Sequence, residues 1–183
     1  MNTLPDDFSI NRYGLHVRLV QEDDAEFILS LRTNEKLARF INATSADVSQ
    51  QIEWTRIYKK REASGTDYYF VFEKPQGTPV GVCRIYDVEP GRFTTGSWLF
   101  SPSAPVGASI LADIITREIA WELWPDAVQF FDVKKDNTTV NKYHTTFRAK
   151  IIRETEDDCF YSCSRENFEK RKNLHLRMFN PNK

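Results

Sequence analysis

The middle of the chain carries three strand-like segments separated by turn sequences. They span residues 68–72 (YYFVF), 80–86 (VGVCRIY) and 94–100 (TTGSWLF), and Pro and Gly turn signals lie at 75–77 and 89–91. Short reversals between successive strands are typical of an antiparallel meander. The sequence therefore predicts a sheet that is largely antiparallel at its centre.

Helical and strand-like patterns alternate on both sides of this meander. Leu15–Val20 alternates with period two and predicts a first strand, and the acidic run Glu22–Asp24 suits the N-terminus of a helix. Further helices are predicted at residues 46–63 and 108–124 and from residues 137 and 165, and further strands at 128–133, 150–154 and 159–163.

The element order β α α β β β α β α β β α predicts an α/β fold. We expect one domain over residues 1–183, because this length suits a single domain. Its sheet would be mixed, mostly antiparallel and of about seven strands, flanked by helices. Residues 1–14 are expected to form an irregular lead-in and residues 173–183 a tail.

Composition and spacing exclude several protein classes. No two of the seven glycines form a G-x-G pair, so the dinucleotide-binding fingerprint is missing. The 25 basic and 26 acidic residues give a formal net charge of -1, which argues against a nucleic-acid partner. The sequence has no apolar run long enough for a membrane span and no secretion signal, so we expect a cytoplasmic protein without a membrane partner. Cys83, Cys159 and Cys163 lack metal-site spacing and are expected to be reduced packing thiols, with no metal bound.

One stretch has no charged side chain. Phe93 to Ala112 contains no Asp, Glu, Lys or Arg. This stretch is either a neutral strand and loop without further meaning or a site where backbone amides bind an anion. The second interpretation rests on the strand–loop–helix pattern with Gly107 and Ser109 at the turn, because a helix N-terminus favours anions.

A second candidate site follows the strand at 128–133. Asn137 precedes a helix that carries Tyr143 and His144. A helix N-cap is one interpretation of Asn137, and a single histidine is more often structural than catalytic. His144 nevertheless lies about two turns after Asn137, on the same helix face, and can exchange a proton near neutral pH.

Together, the element order and these two segments resemble the GNAT acyl-CoA N-acetyltransferase family over about residues 15–172. The loop Ala104-Pro-Val-Gly107-Ala-Ser109 is similar to the family's pyrophosphate motif Q/R-x-x-G-x-G/A, although Ala104 replaces the long polar residue. The helix after Asn137 resembles N-x-x-A-x-x-x-Y-x-x-x-G-F, with His144 at the tyrosine position and Arg148-Ala149 at Gly-Phe. Within this family, the chain most resembles the branch related to ribosomal-protein and amino-sugar N-acetyltransferases.

The resemblance implies acetyl-CoA as co-substrate and a splay between the fourth and fifth predicted strands, 94–100 and 128–133. It implies His144 as the acid that protonates the leaving thiolate, with Tyr143 as the alternative. The base is left open: Thr95 stands where relatives often hold Glu, and Asp87 and Glu89 are nearby candidates. The coenzyme-binding residues that it implies are Trp98, Leu99, Phe100, Val106, Gly107, Ala108, Ser109, Ile110 and Asn137.

The resemblance further implies transfer of an acetyl group to a primary amine by direct attack. The expected acceptor is a small molecule, with a nucleotide-linked amino sugar as one candidate, and the chain is expected to be a monomer or homodimer. The alternatives are a protein N-terminal acetyltransferase of the ribosomal-protein type and a non-catalytic acyl-CoA-binding relative. Acidic residues in the acceptor groove would favour a peptide; aromatic and basic groups such as Trp54, Arg56 and Arg84 would favour a sugar nucleotide.

Overall fold

The computed structural model describes residues 2–180, and within them the chain forms eight strands and five helices. The strands are β1 (Ser9–Arg12), β2 (Leu15–Leu19), β3 (Tyr68–Glu73), β4 (Pro79–Glu89), β5 (Arg92–Phe100), β6 (Val128–Lys134), β7 (Lys150–Glu154) and β8 (Asp158–Cys163). The helices are α1 (Ala25–Arg32), α2 (Val48–Ala63), α3 (Ala108–Leu123), α4 (Thr138–Thr146) and α5 (Arg165–Phe179).

All eight strands lie in one open sheet with the order β1-β2-β3-β4-β5-β6-β8-β7. Every neighbouring pair is antiparallel except β5 and β6, which are parallel. The predicted α/β class and the mixed, mostly antiparallel sheet are confirmed. The strand count is eight instead of about seven, because Ser9–Arg12, predicted as irregular, pairs with β2.

Helices cover both faces of the sheet because successive side chains of each strand point to opposite sides. On one face, Phe70, Ile85 and Phe93 pack with apolar residues of α3 and α5. On the other face, Tyr69 and Val82 pack with α1 and α2. The two faces therefore carry separate cores. A gap between two strands borders both of these faces.

Such a gap opens between β5 and β6. The two strands pair only at Arg92–Thr94 with Val128–Phe130, after which β5 continues along β4 alone as far as Phe100. Within the described chain, residues 95–100 therefore have no backbone pairing on the β6 side. This separation is the splay that the family resemblance implied.

A β-bulge bends β5 away from β6. Between the pairs Arg84–Gly96 and Val82–Leu99, β5 has two residues, Ser97 and Trp98, opposite one residue of β4. Ser97 adopts a φ of 49°, in the left-handed region. An extra residue in one strand bends that strand and disrupts its ladder, and this bulge lies in the part of β5 that no longer pairs with β6.

The end of α4 supports the alignment with the family's helix motif. Arg148, which stands at the motif's glycine, has a φ of 55°. Non-glycine residues rarely adopt this region, and glycine does so without a steric penalty. The backbone thus keeps the turn that glycine normally provides, although the side chain differs.

The C-terminal segment is more regular than predicted. α5 continues through the expected tail as far as Phe179 and packs against α3. The last predicted tail residues, 181–183, lie outside the described residues. Between residues 2 and 180, none of the helices has the length and hydrophobicity needed to cross a bilayer.

Candidate active site

A cavity of about 630 Å³ lies on the α1/α2 face of the sheet, next to the splay. Its walls come from α1, the segment between α1 and α2, α2, and the strands β3 to β6 and β8. The side chains and backbone that line it belong to Ile28, Arg32, Phe40, Ile41, Asn42, Ala43, Thr44, Gln51, Trp54, Tyr69, Arg84, Tyr86, Thr95, Gly96, Ser97, Asp132, Lys134 and Asp158.

Two carboxylates lie at the end of the cavity formed by β6 and β8. Asp132 follows the last β5–β6 pair, Thr94–Phe130, by two residues, so it borders the opening gap close to Gly96. Desolvation raises the pKa of Asp132, and the negative charge of Asp158 adds to this effect. Asp158 accepts a hydrogen bond from Lys134 at 2.9 Å. Asp132 is thus a carboxylate with increased basicity at the mouth of the gap.

Aromatic rings and arginines form the end of the cavity at α2, β3 and β4, from which Tyr86 extends towards Asp132. The Arg84 guanidinium lies 5.1 Å from the Trp54 ring centroid and 5.0 Å from that of Tyr86. The buried carboxylate of Asp67 accepts hydrogen bonds from Arg84 Nε at 2.7 Å and from Arg61 Nε at 2.8 Å. This end therefore offers stacking surfaces and a cation whose charge Asp67 offsets.

The structure separates the acceptor-site candidates. Trp54 and Arg84 line the cavity, whereas Arg56 is exposed and pairs with Glu22 at 2.9 Å. Of the three base candidates, Thr95 borders the cavity, and its hydroxyl oxygen accepts a hydrogen bond from Gln129 Nε2 at 2.8 Å. Asp87 and Glu89 are exposed and do not line the cavity.

The start of α3 has the geometry of an anion site. Gly107 is the N-cap, with a φ of 81°, and the first turn has no acidic residue. The Ala108 amide donates to the Pro105 carbonyl at 2.9 Å, but the amides of Ser109 and Ile110 have no partner within the described chain. Free amides at the N-terminus of a 16-residue helix attract a phosphate. Val106, also predicted to bind coenzyme, is 91% exposed at this loop.

Gly107 is required for a second reason. A Cβ built on Gly107 would lie 2.4 Å from a ring carbon of Phe179, the last residue of α5. A larger residue at position 107 would therefore displace α5 whether or not coenzyme binds. Substitutions of Gly107 cannot isolate the role of the loop.

Three of the predicted coenzyme-binding residues, Trp98, Leu99 and Phe100, lie at the end of β5, where the strand no longer pairs with β6. Trp98 donates from Nε1 to the Ser109 carbonyl at 2.8 Å, which ties β5 to the start of α3. Leu99 pairs with Val82 and Phe100 with Gly81, so their β6-facing backbone groups border the gap. Asn137 acts as the N-cap of α4, with Oδ1 accepting from the Val140 amide at 3.4 Å.

His144 is buried on the α3 side of the gap. Its ring centroid lies 4.1 Å from that of Phe131, a neighbour of Asp132 that faces the opposite side of the sheet. Arg117 Nη2 lies 2.9 Å from His144 Nδ1. Because a guanidinium can only donate, Nδ1 accepts and the imidazole proton is on Nε2. Burial, together with the charge of Arg117, holds the pKa of His144 well below its usual value, so the ring is neutral.

Tyr143 is engaged in a buried network with the same arginine. Its hydroxyl donates to Asp113 Oδ2 at 2.6 Å, and Arg117 Nη2 contacts that oxygen at 3.0 Å. Burial and the charge of Asp113 raise the pKa of Tyr143 well above its usual value. With its proton held by Asp113, Tyr143 is less suited than His144 to donate to a leaving group.

The cysteines and the acidic residues do not form a metal centre. Cys83, Cys159 and Cys163 are buried and free. Among residues 2–180, no group of three or more His, Cys, Asp or Glu side chains is arranged to hold a metal ion.

Sequence reasoning missed Asp132, Asp158, Arg32 and Tyr69 as cavity residues. A usable signal existed for Asp132: in the strand VQFFDVK it alternates with Phe131 and Val133, which predicts that it faces away from their core. The other three are brought to the cavity by strand order and by the path of the chain after α1, which no local pattern specifies.

Comparison with known proteins identifies the family. A family model for the acetyltransferase (GNAT) domain matches residues 15–138. FdhC, a nucleotide-linked sugar GNAT, is 30% identical, with 94% of this chain and 99% of that chain covered and a TM-score of 0.83. We found no match among curated proteins. The chain therefore belongs to the GNAT acetyltransferase family.

More distant structures share the fold. Ribosomal-protein-S5-alanine acetyltransferase from Vibrio fischeri is 15% identical, with 88% of this chain and 99% of that chain covered and a TM-score of 0.74. RimJ from Mycobacterium smegmatis, in complex with CoA-disulfide, is 17% identical, with 90% and 88% covered and a TM-score of 0.70.

The free amides at the start of α3 can be tested by Ser109→Pro. Proline is tolerated in the first helical turn but lacks the N–H, so a phosphate would lose one charge-assisted hydrogen bond. We expect acetyl-CoA binding, measured by calorimetry, to weaken at least about tenfold. Ser109→Ala, which keeps the amide, is the matched control; equal affinity of the two variants would contradict an anion site at these amides.

Proposed function

We propose that this chain transfers the acetyl group of acetyl-CoA to the primary amine of a nucleotide-linked amino sugar. The supporting observation is the polarity of the acceptor cavity. Asp132 and Asp158 lie where an ammonium group would react, with the Tyr86 side chain close to Asp132, and Trp54 and Arg84 lie on the α2, β3 and β4 side of the cavity. This arrangement of charges and rings complements an acceptor with a cationic reacting end. The remote end of that acceptor would be both aromatic and anionic. The 30% identity to a nucleotide-linked sugar GNAT points to the same class.

The residues present fit the coenzyme. The amides of Ser109 and Ile110 would hold the diphosphate, and the backbone of β5 beyond Thr94 offers free groups to an amide-containing arm in the gap. Acetyl-CoA supplies the activated acetyl thioester. In this arrangement the thioester lies between the cavity that contains Asp132 and the opposite face that contains His144.

Asp132 then serves as the general base. It accepts a proton from the acceptor ammonium, either directly or through water, and the neutral amine attacks the thioester carbonyl. The N–C bond forms, the C–S bond breaks, and the free backbone amides of β5 stabilise the developing oxyanion. Desolvation and the negative charge of Asp158 raise the pKa of Asp132, and the increased basicity of this carboxylate suits the role.

His144 acts on the leaving sulfur from the other face. As a neutral ring with its proton on Nε2, it donates a hydrogen bond to the thiolate, which then takes its proton from solvent. Arg117 fixes the tautomer, and Tyr143 and Asp113 hold Arg117 in place. His144 is therefore the preferred catalytic residue of the pair, and Tyr143 has a positioning role.

A protein N-terminal acetyltransferase is the second candidate. The carboxylates Asp132 and Asp158 would suit the charged N-terminus of a peptide, and structures of ribosomal-protein acetyltransferases share the fold. The arginines and aromatic rings at the far end of the cavity have no evident partner in such a substrate, which favours the sugar nucleotide.

An acceptor screen tests the proposed function. The purified chain is incubated with acetyl-CoA and with sugar nucleotides bearing amino groups at different ring positions, free amino sugars, or peptides with Ala or Ser at the N-terminus. We expect free thiol and a product heavier by one acetyl group with a nucleotide-linked amino sugar, and at least about tenfold lower kcat/KM for the free sugar, which loses remote binding energy. Acetylation of peptides alone would instead establish the second candidate.

Substitution of Asp132 by Asn tests the base. We expect kcat to fall about 100-fold or more, the usual contribution of a general base. In the unsubstituted chain, kcat/KM should decrease as pH falls through the raised pKa of Asp132, because protonation removes the base; the variant should lose this acidic limb. Asp136→Asn, at an exposed residue of the turn before α4, is the matched control. An acidic limb that persists in Asp132→Asn would assign the base to another group.

A further inference from the structure

Tyr69 places an unpaired hydroxyl at the cavity. The residue belongs to β3, lines the cavity and is 2% exposed, yet its hydroxyl has no hydrogen-bond partner within the described chain. Burial of a polar group without a partner is unfavourable, so such groups in native proteins call for an explanation. A ligand acceptor atom that completes the hydrogen bond would provide one.

Burial raises the pKa of Tyr69 to about 12, while the charges of Arg32 and Arg84, and the close approach of the Arg32 guanidinium to the hydroxyl, act in the opposite direction. The phenol is therefore neutral at physiological pH and is available as a donor. A ligand atom that accepts a hydrogen bond would therefore pair with the Tyr69 hydroxyl, and the surrounding cations favour an anionic acceptor.

Arg32 is the second component. This last residue of α1 donates from Nε to Thr44 Oγ1 at 2.6 Å and from Nη2 to the Asn42 carbonyl at 3.4 Å. These contacts direct the guanidinium to the cavity wall and leave Nη1 without a partner in the described chain. Neither Thr44 nor the Asn42 carbonyl carries a charge that would offset that of Arg32.

The other two cavity cations differ in this respect. Arg84 forms an ion pair with Asp67, and Lys134 forms one with Asp158. Within residues 2–180, Arg32 has no carboxylate within ion-pair distance. The cavity thus contains one cation that the protein itself does not neutralise, close to one donor that the protein does not satisfy.

We propose that Arg32 and Tyr69 form a phosphate subsite that binds the diphosphate of the acceptor nucleotide. This inference rests on the proposed function and names the part of the acceptor that these two residues recognise. The subsite does not bind the coenzyme, because the coenzyme diphosphate is assigned to the start of α3.

The position of the subsite suits an acceptor whose amine reacts at Asp132. β3 and β6 are three inter-strand spacings apart in the sheet order, or about 14 Å. Side chains from both ends extend into this interval, so a sugar ring can place its amino group at Asp132 while its diphosphate contacts Arg32 and Tyr69. The ring of Trp54 packs against that of Tyr69, and the rings of Trp54 and Phe40 both line the cavity and offer stacking surfaces to a base.

Tyr69→Phe separates a binding role from a structural one. The substitution removes only the hydroxyl, which makes no hydrogen bond in the protein, so we expect the melting temperature to stay the same or rise. Loss of a donor to a charged phosphate oxygen should weaken binding at least about tenfold. If the hydroxyl contacts no ligand, Tyr69→Phe should leave the binding affinity unchanged.

The experiment is calorimetry of the full chain with uridine diphosphate, thymidine diphosphate and inorganic pyrophosphate, each with and without coenzyme A. We expect binding of at least one nucleoside diphosphate, weakened at least about tenfold by Tyr69→Phe and by Arg32→Met. Arg56→Met is the matched control, since Arg56 is an exposed arginine outside the cavity, and it should leave the affinity unchanged.

The outcomes distinguish the subsite from the proposed function. If no nucleoside diphosphate binds, or if Tyr69→Phe and Arg32→Met bind as tightly as the unsubstituted chain, the subsite is wrong even where acetyl transfer to an amine is observed. If a nucleoside diphosphate binds in the predicted, variant-sensitive way but no amine is acetylated, the subsite stands and the proposed function fails.

Discussion

The early end of pairing between β5 and β6 is the constraint on which the rest of the site depends. After Thr94 and Phe130 the two strands separate; beyond this point β5 is bent by an extra residue at Ser97–Trp98 and anchored to α3 by the Trp98 indole. An unbroken ladder would close the sheet at this point. The bend opens a passage between two faces that are otherwise sealed by separate cores.

The passage divides the chemistry between those faces. On the α3 side lie the free amides of Ser109 and Ile110 and the neutral ring of His144. On the α1/α2 side lie Asp132 and the cavity that we propose binds the acceptor. In the proposed mechanism, the base and the hydrogen-bond donor lie on opposite sides of one opening and do not form an ion pair with each other, so both are available to the reactants.

The elements that local patterns specify were predicted well. The meander, the long α3 and the Asn137 cap follow from period, turn residues and capping, and the family resemblance supplied the splay. β1 was missed because four residues between Pro5 and Gly14 carry too short an alternation to stand out. The acceptor cavity was harder to foresee. Arg32 and Tyr69 lie 37 positions apart, and they meet only because α1 and the segment after it fold over β3, which is a tertiary effect with no local signature.

His144 illustrates how environment can alter a role read from residue type. A histidine at this helix position predicts a group that gains and loses a proton near neutral pH. Burial and the charge of Arg117 remove that behaviour and leave a neutral donor of fixed tautomer. Asp132 shows the opposite effect, because desolvation and the neighbouring charge of Asp158 raise its pKa and make the carboxylate more basic.

The most direct measurement is a crystal structure of the chain with a non-reactive ketone analogue of acetyl-CoA. The analogue's diphosphate should accept hydrogen bonds from the amides of Ser109 and Ile110, its arm should lie between β5 and β6, and its acetyl group should open into the cavity beside Asp132. An analogue whose arm lies outside the gap, or whose acetyl group is enclosed on the α3 side away from Asp132, would contradict the proposed division of the site between the two faces.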